Sequence, residues 1–353
     1  MRFFPRTTEG RLALVIALGL GGGIAAAVAG WTASRPPGGP LRLALPVPTG
    51  GPIAWIWLAV QTAALLWAAD SGWQLYGGPR WCRGLAWLVA LTFAPTVLAL
   101  DRGQPAVWVL LAVTGFLWFR RTERDLAAGL CLGLGVGLPY LIGLLVGAAV
   151  LWAVRERRGR VMLGMGIGLV GAVAWRVWLS GLVPSWEMGP CTGGATPATV
   201  GFALRRLVGS GPWWLGQVPL LVGAVWLLRH WGLHRWEWDW QEQTPFLLLG
   251  SALTAPCAAW PFDLPVLLVP WLAALADMAR GGRLPLVGAV TIHVLIQVGF
   301  LRQMSRGADW FDFVWMVPVL TVVYWSWHAL RDLWAVDWLA PTDSAEAPPR
   351  GPA

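Results

Sequence analysis

The sequence predicts an all-α, polytopic membrane fold of about ten spans with one re-entrant or broken-helix hairpin. Three observations predict it. Of 353 residues, 57% are hydrophobic and 12% charged, and the mean hydropathy is +0.59; a water-soluble surface needs more charge than that. Apolar runs fill nearly the whole length and leave no room for a soluble domain. All 26 basic residues are Arg, gathered in short turns between apolar runs as in cytoplasmic loops. Residues 1–340 therefore read as one membrane domain, and the Pro/Ala/Ser-rich 341–353 as a disordered cytoplasmic tail. The net charge of +8 suits inner loops and lipid phosphates. No nucleic-acid module is present.

Taken in order, Arg2, Arg6 and Arg11 precede an apolar run from Leu12 to Gly30, read as an uncleaved first helix with a cytoplasmic N-terminus. Ser34 to Gly51, rich in Pro and Gly, is an outer loop. Pro52 to Ala69 spans inward to Arg80 and Arg83, and Gly84 to Leu100 returns outward to the turn at Asp101 and Gln104. Pro105 suits the first turn of the next helix, which ends inside at Arg120.

Leu126 to Val154 lies between two cationic turns, Arg120–Asp125 and Arg155–Arg160. With both turns inside, this segment must enter the membrane and come back. Its two arms meet at Leu138-Pro139, and neither reaches the ~20 residues of a straight span. Irregular backbone at that depth survives where protein or a water-filled cavity covers it, which places a cavity near Pro139 and Tyr140.

Further spans are Val161–Ser180, Leu215–Leu228, Phe246–Trp260, Leu264–Ala279, Leu286–Leu301 and Phe313–Ala329. A long outer loop runs from Leu182 to Trp213, and Arg229 to Gln243 is an inner interfacial segment rich in Trp. The 28 Trp against 3 Tyr read first as interfacial anchors. Cys131 and Cys257 read as small core residues, and no Cys or His spacing suits a metal. No cofactor is expected, since Gly193-Gly194 lacks the Lys and the context of a phosphate loop.

At this point a family resemblance enters. Asp101-Arg102-Gly103-Gln104-Pro105, an apolar span, a basic turn and the Gly/Ala-rich stretch from Ala128 to Pro139-Tyr140 resemble glycosyltransferase family 87. Leu45-Pro46-Val47-Pro48 with the following span, and Thr254-Ala255-Pro256 through Trp260, Asp263 and Pro270-Trp271, are similar to other parts of that family. The resemblance implies a GT-C-like fold, a plasma-membrane location, and hexose transfer, mannose first, from a polyprenyl-phosphate donor on the outer face. Membrane lipids are the other expected partners, and no oligomeric state is implied. Leu138 stands where the family has Lys, and Pro105 where it has Asn. No Asp or Glu occurs between Glu9 and Asp70, the region where catalytic members carry an acid, so the base is missing, displaced or supplied by another loop.

Such a transfer needs a carboxylate to take the acceptor's proton and cations to stabilise the departing phosphate. Asp263, at a bend where partial burial would suit a general base, Asp101 and Glu187 are the candidate catalytic acids; a helix cap or a loop carboxylate is the plain alternative for each. Arg205, Arg206, Arg302 and Arg306 are candidate phosphate ligands, or headgroup anchors. Arg176 lies within an apolar helix, where a charge faces a cavity, a partner or the interface. Gln104, Tyr140 and Trp260 complete the expected substrate site. His293 and Gln297 share a helical face and read as interhelical hydrogen bonding. Three functions compete: a membrane glycosyltransferase, a non-catalytic protein keeping that fold, and a transporter.

Overall fold

The computed structural model describes residues 52–101, 104, 106–136, 139–182, 198–208, 213–256, 260–307 and 310–338. The expected first helix, the Pro-rich loop before Pro52, Leu138, Glu187, Gly193-Gly194 and the tail from Pro341 lie outside these residues. The described residues are helical with no strand. Among the described residues, three stretches can cross a membrane by length and composition: Pro261–Arg280, Arg283–Ser305 and Phe311–Arg331. A bent pair, Arg80–Thr92 with Ala94–Asp101, makes a fourth.

Helix α1, Pro52–Leu75, continues six residues beyond the expected span and delivers Asp70 to Arg83 across the turn that follows. Gly84 to Leu100 reads as one span in the sequence but folds as two helices, α2 (Arg83–Thr92) and α3 (Ala94–Asp101), bent by 58°. Pro95 has no N–H to give the helix, which is the physical reason for the break. Groups at the bend find partners on helix α12, Arg283–Ser305. The Ala94 N–H donates to Gln297 Oε1 at 2.6 Å, and Thr92 Oγ1 meets His293 Nε2 at 3.1 Å. Trp271 Nε1 donates to the other ring nitrogen of His293 at 3.1 Å. The polar pair on α12 is thus interhelical glue.

Helix α4, Ala106–Arg121, leads into the hairpin: α5, Asp125–Gly135, and α6, Pro139–Arg155. At 1.5 Å per residue these arms are roughly 16 and 25 Å long. Asp125, at the start of α5, accepts from Arg120 and from Arg158 Nη1 at 3.1 Å, so the two cationic turns lie side by side. The arms do not rest chiefly on each other. Helix α5 packs along α7, Gly159–Leu182, while α6 packs on α10, Trp240–Thr254, where Ser251 Oγ accepts the Leu144 N–H at 3.0 Å.

The α5–α7 contact is backbone on backbone. A Cβ at Gly129 would stand 2.1 Å from Val161 O, and one at Gly133 2.3 Å from Met165 O. From the other side, Gly164 and Gly168 face Leu126 O at 2.3 Å and Leu130 O at 2.4 Å. Rising residue numbers on α5 meet rising numbers on α7, so the two helices run parallel. Paired glycines four apart let helices approach this closely in a membrane.

Beyond α7, the long loop expected from Leu182 to Trp213 contains a short helix, α8 (Val200–Leu207), started by Thr199 Oγ1 accepting the Phe202 N–H at 3.1 Å. Helix α9, Val218–His234, runs into the segment expected to be interfacial. The 3₁₀ turn Pro261–Leu267 precedes α11, Leu268–Arg280, and a second 3₁₀ turn, Trp310–Phe313, precedes α13, Met316–Trp338. Trp240, at the start of α10, packs edge-on against Phe116 and Trp152, whose ring carries Arg120 at 4.2 Å. The ends of α1, α4, α6, α9, α11 and α13 and the starts of α5, α7 and α10 therefore share an arginine-rich end. The Pro261–Leu267 turn, α8 and the start of α6 belong to the opposite end.

Candidate functional site

Three of the sequence-derived candidates, Tyr140, Trp260 and Asp263, meet at the opposite end. Two prolines, Pro261 and Pro265, shape the turn Pro261–Leu267, and Leu264, Val266 and Leu267 bury it against α3 and α4. Asp263 is the third residue of this turn and only 4% exposed. Its Oδ2 accepts the Trp260 N–H at 3.1 Å, which caps the turn, and the Tyr140 hydroxyl at 2.9 Å. Both hydrogen bonds fall on one carboxylate oxygen. Pro139 opens α6, so Tyr140 stands at the helix start, 123 residues from its partner in sequence. The Trp260 ring lies nearly parallel to that of Phe262, at 5.9 Å and 6°.

Gln104 sits between α3 and α4, both of which pack on the Asp263 turn. Its N–H donates to Ala99 O at 2.8 Å and its carbonyl accepts from Gln61 Nε2 at 3.3 Å. Gln61 is fully buried in α1, and its Oε1 has no partner. The sequence reading missed it, although a lone Gln inside an apolar run is visible and costly to bury unpaired. Asp101, at the end of α3, is exposed.

The arginines form a second group at this end. Helix α8 lies across the chain leading to Trp260, and a Cβ at Gly201 would stand 2.7 Å from Pro256 O. Its Arg206 guanidinium covers the Phe311 ring at 4.8 Å, and Phe202 meets the same ring edge-on. Arg205 Nε is buried without a partner. Arg302 and Arg306 are exposed at the end of α12. Their segment is joined to the Phe311 turn by Gln303, which donates to Asp312 O at 2.7 Å and accepts from Trp315 Nε1 at 2.7 Å. Of the four candidate arginines, Arg206 is the one that rests on Phe311, a residue that nothing in the sequence marked. Arg176 lies on α7, and its side chain, like all of Glu187, is outside the described residues.

The arrangement offers a buried carboxylate held by neutral donors and, on α8, one guanidinium group, that of Arg206, resting on an aromatic ring. Such groups suit proton transfer and the stabilisation of an oxyanion or phosphate. Residues 36–261 match the family model described as glycosyltransferase family 87. That range contains Gln104, Tyr140, Arg176, Arg205, Arg206 and Trp260 and stops two residues before Asp263. No curated protein and no solved structure matches the chain.

Proposed function

Since the chain belongs to glycosyltransferase family 87, we propose that it transfers a hexose, mannose first, from a polyprenyl-phosphate donor to an acceptor hydroxyl on the outer face of the plasma membrane. The reading includes a single GT-C-like membrane domain, residues 1–340, of about ten spans plus the α5–α6 hairpin. In the step proposed, Asp263 takes the acceptor's proton as its oxygen attacks the anomeric carbon. The bond from that carbon to the phosphate oxygen breaks, and polyprenyl phosphate leaves with the electron pair. Arg205, Arg206, Arg302 and Arg306 would hold the departing phosphate. Tyr140 holds one carboxylate oxygen of Asp263 and would leave the other to face the acceptor.

The observation that carries the reading is the Tyr140–Asp263 hydrogen bond, which joins the hairpin to the acidic turn at one end of the bundle. The test is sugar transfer by membranes containing the protein, supplied with polyprenyl-phosphate mannose. Asp263→Asn should lower the rate at least ~100-fold, the ordinary contribution of a general base, while Asp101→Asn and Glu187→Gln stay within a few-fold of the parent. Full activity in Asp263→Asn would remove the base from this residue.

A second reading, a non-catalytic protein that keeps the fold, is favoured by one specific pair of facts. Asp263 caps its own turn, and residues 10–69 contain no acid. Absence of transfer from any polyprenyl-phosphate sugar, with the protein folded, would select it.

A further inference from the structure

Helices α6 and α9 lie side by side, and a Cβ at Gly147 would stand 3.0 Å from Leu227 Cδ2. From that contact both helices run toward the arginine-rich end, α6 finishing at Arg155 and α9 one residue before Arg235. Both arginines then rest on one indole. The Arg155 guanidinium lies 4.2 Å from the centre of the Trp236 ring and that of Arg235 5.2 Å. A single ring thus holds two like charges close together, and the proposed transfer uses none of these residues.

Carboxylates do not account for this pairing. Arg155 has only Glu156, 3.9 Å away and itself well exposed, and Arg235 meets no carboxylate among the described residues. Asp125 is shared by Arg120 and Arg158. Asp239 is turned to α10, where it accepts the Gln241 N–H. In this corner Arg120, Arg155, Arg157, Arg158, Arg160 and Arg235 stand against Asp125, Glu156 and Glu237, six charges against three. The neighbouring turn adds Arg121 and Arg124 against Glu123. The carbonyl ends of α6 and α9 help to hold the two guanidinium groups, but at roughly half a charge each they leave most of the excess standing.

The surroundings are apolar as well as basic. Trp236 is 75% exposed, and Val154, beside Arg155, and Leu233, on the last turn of α9, are 66% and 68% exposed. Exposed hydrocarbon next to a cationic pair suits an amphiphile better than a soluble anion. We propose that Arg155, Arg235 and Trp236 form a binding site for the phosphate of an anionic phospholipid. The two planar forks take its oxygens. The indole lies at the boundary between headgroup and acyl chain, where its amphipathic ring is favoured. A choline headgroup would bring its ammonium into the same positive excess, so the site discriminates against it.

The test uses the full chain purified in detergent, where no bilayer surface supplies a general attraction, and reads lipid retention by native mass spectrometry. Phosphatidylglycerol should be retained about fivefold or more over phosphatidylcholine. Arg155→Gln and Arg235→Gln should each lower that retention about fivefold, the contribution of one arginine at an anionic surface. Trp236→Ala, at an exposed side chain, should lower it by a similar factor with the thermal midpoint unchanged. Arg121→Gln, exposed at the same end with no ring contact, is the control and should change retention less than about twofold. Equal retention of phosphatidylcholine, an equal loss in Arg121→Gln, or unchanged retention in Arg155→Gln and Arg235→Gln would overturn the proposal. So would displacement of the lipid by an equal concentration of glycerol 3-phosphate, which would assign the site to a soluble phosphate.

Discussion

Replacing Gly133 by Ala tests the packing on which the hairpin depends. The new Cβ would stand 2.3 Å from Met165 O and 2.9 Å from Leu169 N, whereas ordinary contact begins at 3.4 Å. Neither neighbour can swing aside, because both are backbone atoms of α7. The helices must therefore separate by roughly 1 Å, a gap that forfeits a quarter to a half of the dispersion energy along the seam. Overpacking of this kind costs about 1–3 kcal/mol. Alanine's better helix propensity returns roughly 0.5–1 kcal/mol. A net loss of about 1–2 kcal/mol is expected, read as a shift in unfolding of the purified protein in mixed micelles.

Helix α7 supplies the control. A Cβ at Gly166 meets nothing within 4 Å, so Gly166→Ala keeps the propensity gain without the clash and should be neutral or slightly stabilising. Sugar transfer, if present, should fall in Gly133→Ala and not in Gly166→Ala, because α5 leads toward Tyr140. Equal stability of the two variants would refute the parallel packing of α5 on α7.

Three further outcomes follow from the geometry. Asp125→Asn removes the shared partner of Arg120 and Arg158, and since the Asp125 and Arg120 side chains are only 10% and 14% exposed, it should destabilise by about 3 kcal/mol in the same unfolding measurement. Tyr140→Phe should cost roughly 1.5–3 kcal/mol by loss of a hydrogen bond to a carboxylate, and under ~0.5 kcal/mol when Asp263 is already Ala; equal costs in both backgrounds would mean the bond is not formed. Arg206→Gln should lower kcat/KM for the lipid-linked donor several-fold and leave unfolding nearly unchanged, and an unchanged kcat/KM would place Arg206 outside the donor's phosphate site.

The parts of the molecule that the sequence made legible are those set by local chemistry. Prolines at 139 and 261 mark a helix start and a turn, because a missing N–H acts on its own neighbours, whereas the bend at Pro95 went unread. The side-by-side placement of the two arginine turns was readable from charge alone, and Asp125 is the residue that joins them. Pairing at long range was not readable. Asp263 and Tyr140 stood among the candidates as residue types, but 123 intervening residues hid the bond between them. The glycines four apart at 129 and 133, and at 164 and 168, carried a packing signal that the hairpin reading left unused. Thr199 was a visible helix cap inside what read as a loop.

The two ends of the bundle differ in how they use the same residue types, and this difference argues for the placement of the site. At the arginine-rich end, carboxylates meet guanidinium groups: Asp70 with Arg83, Asp125 with Arg120 and Arg158, Asp277 with Arg280 and Arg331. A carboxylate and an arginine committed to each other have less to offer an acceptor hydroxyl or an incoming phosphate. At the opposite end Asp263 is held by a phenol and an amide, neutral donors that fix its position without cancelling its charge. Arg206 rests there on the face of Phe311, a contact that orients a guanidinium and leaves its N–H groups directed outward. Under the proposed transfer, a carboxylate held by neutral donors and a guanidinium held by a ring are what the Asp263 end supplies, and pairing of Asp263 with an arginine in a donor-bound structure would remove the reason for placing the transfer there.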